Sequence, residues 1–147
     1  MSKHVDDCLI DCKSVTVMTV FKQALLSRFV GTDEGEVTEY WRCEIIRDRE
    51  AKTAKIVQSG CAERVWKTFG MWDYHPVKTP LDANNRLSKR DCPEVVDPNV
   101  HRRYHSIVGC LSYLVNMTRP DLAFSYSQLS KFVQYPGMVH LESAERV

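Results

Sequence analysis

HVDDCLI, residues 4–10, places two adjacent aspartates, Asp6 and Asp7, between apolar neighbours in a segment that otherwise has the composition of a β-strand. Two neighbouring carboxylates repel each other, and a divalent cation relieves the repulsion because hard cations such as Mg²⁺ prefer carboxylate oxygens. We therefore interpret the stretch as a strand–turn–strand hairpin that carries an acidic pair. The alternative is an acidic turn that only faces water, and the dipeptide alone favours that alternative because short motifs often occur by chance.

Length and composition narrow the class of the protein. The chain has 147 residues, of which 44% are apolar and 27% charged, so we expect one compact domain or a piece of a larger protein. No apolar run approaches the roughly 20 residues that a membrane-spanning helix needs. The first residues lack the pattern of a signal peptide, which predicts a protein that is neither secreted nor membrane-bound. The six cysteines include no C-x-x-C pair and are expected to be free thiols.

The residues after the acidic pair predict a helix and a second hairpin. Apolar side chains recur at helical spacing over residues 14–29, with Ser14 as the N-cap and Gly31 after the end. Strand-like residues follow at 37–47 and 55–58, separated by a charged turn. This arrangement is typical of two antiparallel strands.

The rest of the chain predicts mainly helices. Residues 59–69 have an amphipathic pattern, and a proline-rich connector follows over residues 73–100. Residues 101–147 show apolar helix faces. The segment TRPD, residues 118–121, predicts a helix start, with Thr118 as the cap.

Histidine and cysteine spacing suggests two weak metal motifs. His101 and His105 are four residues apart and would share one face of a helix, but the glutamate of a metalloprotease helix is missing. We interpret them as surface histidines. His4, Cys8 and Cys12 lack a second ligand pair at the spacing of a structural zinc site, so we assign them to a strand and its turn.

Several segments, in one order, resemble copia-type retrotransposon reverse transcriptases. HVDDCLI resembles their Y-V-D-D-L-L-I turn, and DEGEVTEYWRCEIIRDR is similar to D-L-G-E-x-x-x-F-L-G-I-E-I-x-R-D, which includes the primer-grip hairpin. HPVKTPLD resembles K-P-V-S-T-P-L-D, and PGMVHLESAERV resembles P-x-x-x-H-W-x-A-A-K-R-V. YHSIVGCLSYLVNMTRPDLAFSYSQLSKF follows Y-R-S-L-V-G-S-L-M-Y-L-x-x-x-T-R-P-D-I-A-F-A-V-x-x-L-S-R-F almost throughout. The resemblance therefore covers essentially the whole chain.

The resemblance implies an α+β fold that is part of a polymerase. A partial palm, consisting of the β-hairpin with the Asp-Asp pair, a helix and a second hairpin, is followed by an α-helical thumb and connection region. By this resemblance, residues 1–72 are the partial palm with its primer-grip-like hairpin and following helix. Residues 73–100 are the connector, and residues 101–147 are the thumb and connection region, truncated at its C-terminus.

The resemblance also implies an activity, RNA-directed DNA polymerisation, and a cytoplasmic location. Asp6 and Asp7 would hold Mg²⁺ between the phosphates of an incoming dNTP and the primer end. The neighbourhood of the nucleotide and primer would include His4, Val5, Tyr40, Trp41 and Arg42, with the strand over residues 40–45 supporting the primer. Basic residues of the thumb would contact phosphates of an RNA/DNA template–primer duplex, namely Arg102, Arg103, Arg119 and Lys131. For Arg119, an ion pair with Asp121 is the alternative.

Departures from the family pattern limit the expected activity. The chain begins three residues before the acidic motif, so the fingers and the third catalytic aspartate are absent. Trp41 and Arg42 replace the Leu-Gly of the primer grip. We therefore expect this chain to be inactive alone and to need an N-terminal polymerase half as its partner. Two alternatives stay open: a non-catalytic nucleic-acid-binding remnant and a transposon-derived protein without function.

Overall fold

The fold combines helices with antiparallel strands in two compact units. A computed structural model of the chain describes residues 2–4, 7–71, 73–75, 77–82 and 86–147, with side chains from residue 7 onward. The first unit is Met1–Gln58 and the second is Ser59–Val147. Helices and strands are both present, as the predicted α+β class requires, while the assignment to a palm and a thumb stays a prediction.

The first unit begins with a short antiparallel hairpin. Strand β1 is Ser2–His4 and strand β2 is Asp7–Leu9, and His4 lies opposite Asp7 in the register. The hairpin that the sequence predicts is therefore present. Val5 and Asp6 connect the two strands and lie outside the described residues.

Helix α1 spans Val15–Leu26, and its start is the predicted one because the Ser14 side chain accepts a hydrogen bond from the Val17 backbone N–H. The predicted end at residue 29 was wrong. The hydroxyl of Ser27 donates to the carbonyl of Ala24, so the side chain competes with the backbone there and the helix ends at Leu26. None of its residues is buried within the described part of the chain, and the apolar face of α1 stays exposed.

A three-stranded antiparallel sheet completes the first unit. Its strands are β3 (Glu39–Tyr40), β4 (Cys43–Asp48) and β5 (Thr53–Val57), paired in the order of the chain. The β4–β5 hairpin confirms the pairing predicted from the two strand-like segments and the charged turn between them. The prediction of one continuous strand over residues 37–47 was wrong, because a turn at residues 41–42 divides it.

The second unit consists of helices, and the long connector separates the first two of them. Helix α2 is Ser59–Phe69, with the predicted bounds, and Gly70 after it has a φ of 67°, the left-handed conformation that commonly ends a helix. The remaining helices are α3 (Pro98–Met117), α4 (Ala123–Ser130) and α5 (Met138–Glu145). Two 3₁₀ turns, Lys89–Asp91 and Pro120–Leu122, precede α3 and α4.

Thr118 has a different role from the predicted one. It is the C-cap of α3, its backbone N–H bonds to the carbonyl of Leu114, and Pro120 opens a 3₁₀ turn before α4 begins. The helix-start prediction at TRPD was therefore wrong for Thr118, because α3 continues beyond its last buried residue, Leu111, to Met117 and Thr118 caps its C-terminal end. The connector also ends earlier than predicted, since α3 begins at Pro98, where the side chain of Asp97 caps the helix by accepting from the Asn99 N–H.

One apolar core lies in the second unit. Its buried members come from α3, α4, α5 and the segments beside them: Tyr104, Ile107, Val108, Leu111, Leu122, Leu129, Phe132, Leu141 and Ala144. The apolar helix face predicted within residues 101–147 is confirmed for α3, which buries Tyr104, Ile107, Val108 and Leu111. In the centre, the Tyr104 hydroxyl donates to the carbonyl oxygen of Leu129 at 2.7 Å.

Helix α2 belongs to the second unit, whereas the sequence analysis grouped it with the residues before it. Phe69 packs against the core. The guanidinium of Arg103 donates to the carbonyl of Phe69 at 2.8 Å and lies 5.5 Å from the centroid of its ring. These contacts hold the C-terminal end of α2 on α3.

The side chain of His140 stabilises the N-terminal end of α5. Its ring is fully buried, stacks on Phe132 at a centroid distance of 4.3 Å, and accepts a hydrogen bond at Nδ1 from the backbone N–H of Gly137 at 3.0 Å. Burial lowers the pKa of His140, because desolvation disfavours the charged imidazolium. The neutral ring, with Nδ1 as the acceptor, therefore acts as a side-chain cap for the helix.

Within the described part of the chain, none of the helices has both the length and the apolar character that crossing a bilayer demands.

Candidate functional site

The first hairpin positions Asp7, the second residue of the acidic pair. Asp7 is the first residue of β2, is exposed, and follows directly on the two residues that connect the strands. Asp6 and Val5 lie outside the described residues, and of His4 only the backbone is described. Among the described residues, no three or more histidine, cysteine, aspartate or glutamate side chains are grouped as a metal site would require. The Mg²⁺ site at Asp6 and Asp7 therefore stays a prediction.

The predicted primer-grip residues form a tight turn instead of one strand. Tyr40 pairs with Cys43 across the β3–β4 ladder, so Trp41 and Arg42 are the two central residues of the hairpin. Both have positive φ, 55° and 58°, as a type I′ turn requires. Residues other than glycine, asparagine and aspartate are strained in this region of backbone conformation. Arg42 lies where the copia-type sequence pattern has glycine. This replacement therefore introduces backbone strain into the turn.

The turn presents two large side chains to the solvent. Trp41 is 46% exposed and Arg42 is exposed, whereas Cys43, the next residue, is buried. The prediction of one strand over residues 40–45 was therefore wrong at residues 41–42, which form a hairpin tip, while Tyr40 lies in β3 and residues 43–45 lie in β4. An indole and a guanidinium at such a tip are able to stack on a base or contact a phosphate.

Arg103, one of the four basic thumb candidates, has a structural role. Its Nε lies 2.5 Å from the carboxylate of Glu145 in α5, and its other contacts are to Phe69. The guanidinium thus ties α2, α3 and α5 together within the second unit.

Arg119 also has a partner, in an ion pair with Asp121. Its guanidinium donates to both carboxylate oxygens of Asp121, at 2.9 Å from Nε to Oδ1 and 2.8 Å from Nη2 to Oδ2. The hydrogen bond from Arg119 lowers the pKa of Asp121. The alternative stated for Arg119, pairing with Asp121, is therefore confirmed, although both side chains are exposed and such a pair contributes little stability.

Lys131 and Arg102 differ in whether their charged groups have a partner within the described part of the chain. Lys131 is exposed and directly follows α4. Its ammonium donates to the side-chain oxygen of Gln128 at 2.8 Å. Arg102 is exposed on α3 and forms no ion pair with any described residue. Of the four candidates, Arg102 is therefore the guanidinium best placed to meet an external phosphate.

Arg102 lines a groove that the sequence analysis did not anticipate. The groove has a volume of about 530 Å³ and lies along the first turns of α3. Its walls are apolar at Val96 and Pro98, and its polar residues all carry hydrogen-bond donors: His101, Arg102, His105 and Ser106. The four-residue spacing of the histidines was a sequence signal for this groove. Only the structure shows that Val96, in the segment before α3, also lines it.

A second basic surface lies at the β4–β5 turn. Arg47, Asp48, Arg49 and Lys52 line a shallow depression there, and Arg49 forms an ion pair with Glu36. From its sequence, RDREAKT (residues 47–53) was predicted only to be a charged turn. Its three basic residues in six positions were the available signal.

Comparison with known proteins identifies relatives along the full chain. The chain is 33% identical over 145 residues to a retrovirus-related Pol polyprotein from transposon TNT 1-94 of Nicotiana tabacum, covering 97% of this chain and 11% of the relative. It is 30% identical over 148 residues to a putative transposon Ty5-1 protein of Saccharomyces cerevisiae, covering 98% of this chain and 46% of the relative. It is 29% identical over its whole length to the Pol polyprotein from transposon RE1 of Arabidopsis thaliana, of which it covers 10%. No family model and no solved structure matches the chain.

The chain is therefore homologous to retrotransposon Pol polyproteins. It spans about a tenth of the two polyproteins and about half of the yeast relative.

Proposed function

We propose that this chain, a homologue of retrotransposon Pol polyproteins, is the part of an RNA-directed DNA polymerase that contributes two of its metal-binding carboxylates and a surface for the template–primer duplex. Its chemistry is nucleotidyl transfer from a dNTP to a primer end, with Mg²⁺ held by Asp6 and Asp7. The chain works only together with a polymerase half that supplies the remaining catalytic groups.

The observation that carries this proposal is the register of the first hairpin. Because His4 pairs with Asp7, only two residues separate the paired strands in the sequence, and Asp7 begins β2 at the turn end of the hairpin. Asp7 is exposed, so its carboxylate is able to bind a cation without the unfolding of a core. Two carboxylates do not supply enough ligands for two metals, which is the physical reason for the second half.

Primer extension tests the polymerase proposal. We expect the chain alone to extend oligo(dT) on poly(rA), with dTTP and Mg²⁺, no faster than its Asp6→Asn/Asp7→Asn variant. Fused behind the segment that precedes the matched region in the tobacco relative, it should extend the primer, and Asp7→Asn should abolish that extension because a metal ligand is lost. Extension by the unfused chain that disappears in Asp6→Asn would contradict the requirement for a second half, and a fusion whose activity survives Asp7→Asn would contradict the role of the pair.

A second candidate function, nucleic-acid binding without catalysis, is favoured by the unpaired Arg102 and the donor-rich groove beside it. Contacts with phosphates give affinity without sequence readout and release counterions, so binding weakens as salt rises.

Salt-dependent binding to an RNA/DNA duplex separates this function from no function. We expect Arg102→Ala to weaken binding uniformly across sequences and to reduce the slope of log K against log salt by about 1. The matched control is Arg119→Ala, which should leave the slope unchanged because Asp121 already neutralises that guanidinium. Equal slopes for the parent and Arg102→Ala, measured by gel shift at several salt concentrations, would remove Arg102 from the interface.

A further inference from the structure

His101 and His105 form a close pair on α3. Their ring centroids are 5.0 Å apart and the ring planes are inclined by 44°. His105 is exposed and His101 is half-buried, and both rings line the groove that contains Arg102. Neither ring has a carboxylate partner among the groove-lining residues.

The distance between the rings matches that of two imidazoles on one metal ion. Zinc–nitrogen bonds of about 2.0–2.1 Å put a ring centroid about 3.2 Å from the ion, so two rings at a tetrahedral angle have centroids about 5 Å apart. Residues four apart on a helix are neighbours on one face, and α3 holds that spacing rigidly over five turns. The separation of the two rings is therefore compatible with their binding one ion.

We propose that His101 and His105 are a two-imidazole chelate for a divalent transition-metal ion of the zinc, cobalt or nickel class. Imidazole nitrogen suits these ions, whereas Mg²⁺ prefers oxygen ligands, so this site is distinct from the acidic pair. Two protein ligands leave two tetrahedral positions open, and water or an anionic oxygen fills them. Arg102 repels the cation but attracts an anionic co-ligand into the same groove. The proposal does not depend on the polymerase function.

The exposed thiols of Cys8 and Cys12 would compete for such an ion, because thiolates bind the same metals. The experiment is therefore done on the full chain in a Cys8→Ser/Cys12→Ser background, with Co²⁺ as the probe. Its visible absorption reports coordination geometry, and a titration at pH 7.5 gives the affinity. His75, which is exposed and outside the groove, supplies the matched control in the variant His75→Gln.

The expected result is one Co²⁺ site without thiolate bands, unchanged in His75→Gln and weakened at least tenfold in either His101→Gln or His105→Gln. The double variant should lose little more than each single one, because a chelate is destroyed by the loss of either ring. Far-UV circular dichroism of each variant keeps loss of folding apart from loss of binding. Co²⁺ affinity that is the same in His105→Gln as in the parent, or that falls equally in His75→Gln, would overturn the proposal, as would the absence of any Co²⁺ binding by a folded parent.

Discussion

Gly137→Ala is expected to lower the free energy of unfolding of the protein by about 3 kcal/mol, because the new methyl group has no room. A Cβ at this position would lie less than 3.0 Å from the carbonyl oxygen of Asp91 and 3.4 Å from Cδ of Pro93. The backbone of Gly137 has an ordinary φ of −96°, so the cost comes from this close approach and not from a left-handed conformation.

The carbonyl of Asp91 cannot move away easily. The Asp91 carboxylate accepts from both the backbone N–H and the hydroxyl of Ser88, at 2.8 and 2.9 Å, which closes the 3₁₀ turn. These hydrogen bonds also lower the pKa of Asp91. On the other side, the N–H of Gly137 is held by the buried ring of His140. A shift of either segment would break one of these contacts.

Gly109→Ala is the matched control. Gly109 lies within α3, and a Cβ there would meet nothing within 4 Å. Alanine is the better helix former by about 0.5–1 kcal/mol, so this variant should be more stable than the parent. Urea unfolding followed by circular dichroism measures both variants. Equal stability of Gly137→Ala and the parent would show that the turn at Lys89–Asp91 does not contact α5 as described.

Tyr104→Ala should destabilise the protein by about 3–5 kcal/mol, the range for removing a buried aromatic side chain. Tyr104 is 0% exposed and lies in the centre of the core between α3, α4 and α5. Burial raises the pKa of its hydroxyl, so the group stays protonated and keeps donating to the Leu129 carbonyl well into the alkaline range.

Tyr104→Phe separates the ring from the hydroxyl. It keeps the packing and removes only the hydrogen bond, so we expect a loss of about 1 kcal/mol. Phe124→Ala is the exposed control: Phe124 is 68% exposed, and its removal should change stability by no more than about 0.5 kcal/mol. Unfolding curves in urea would contradict this account if Tyr104→Ala and Phe124→Ala cost the same.

The sequence predicted several elements because their signals are local. The bounds of α2 were predicted to the residue, since an amphipathic repeat fills it and Gly70 ends it. The cap at Ser14 and the hairpin β4–β5 followed in the same way, from one hydroxyl and from two strand-like segments around a charged turn. The errors fell at places with two competing local readings. Thr118 is equally suited to follow one helix or to precede the next, and the length of α3 decided between them.

For the candidate site, too, local sequence signals predicted some features and tertiary packing decided the others. The sequence placed Asp7 at a hairpin, because strand-like residues flank it, and predicted through the resemblance that Arg102 contacts phosphates. It did not distinguish Arg102 from Arg103, which adjoins it in the chain. Only the packing of α5 against α3 shows that Arg103 is engaged by Glu145, 42 residues away.

The sequence by itself determined which segments are helices and strands, where most of them begin, and that the chain is similar to retrotransposon Pol polyproteins. These properties depend on neighbours a few residues apart, through side-chain periodicity and capping. Tertiary structure alone decided which glycine has no room for a methyl group, which arginine is free, and that two histidines share a groove with the segment before them. Such facts depend on contacts between residues far apart in the chain, and a local pattern holds no information about them.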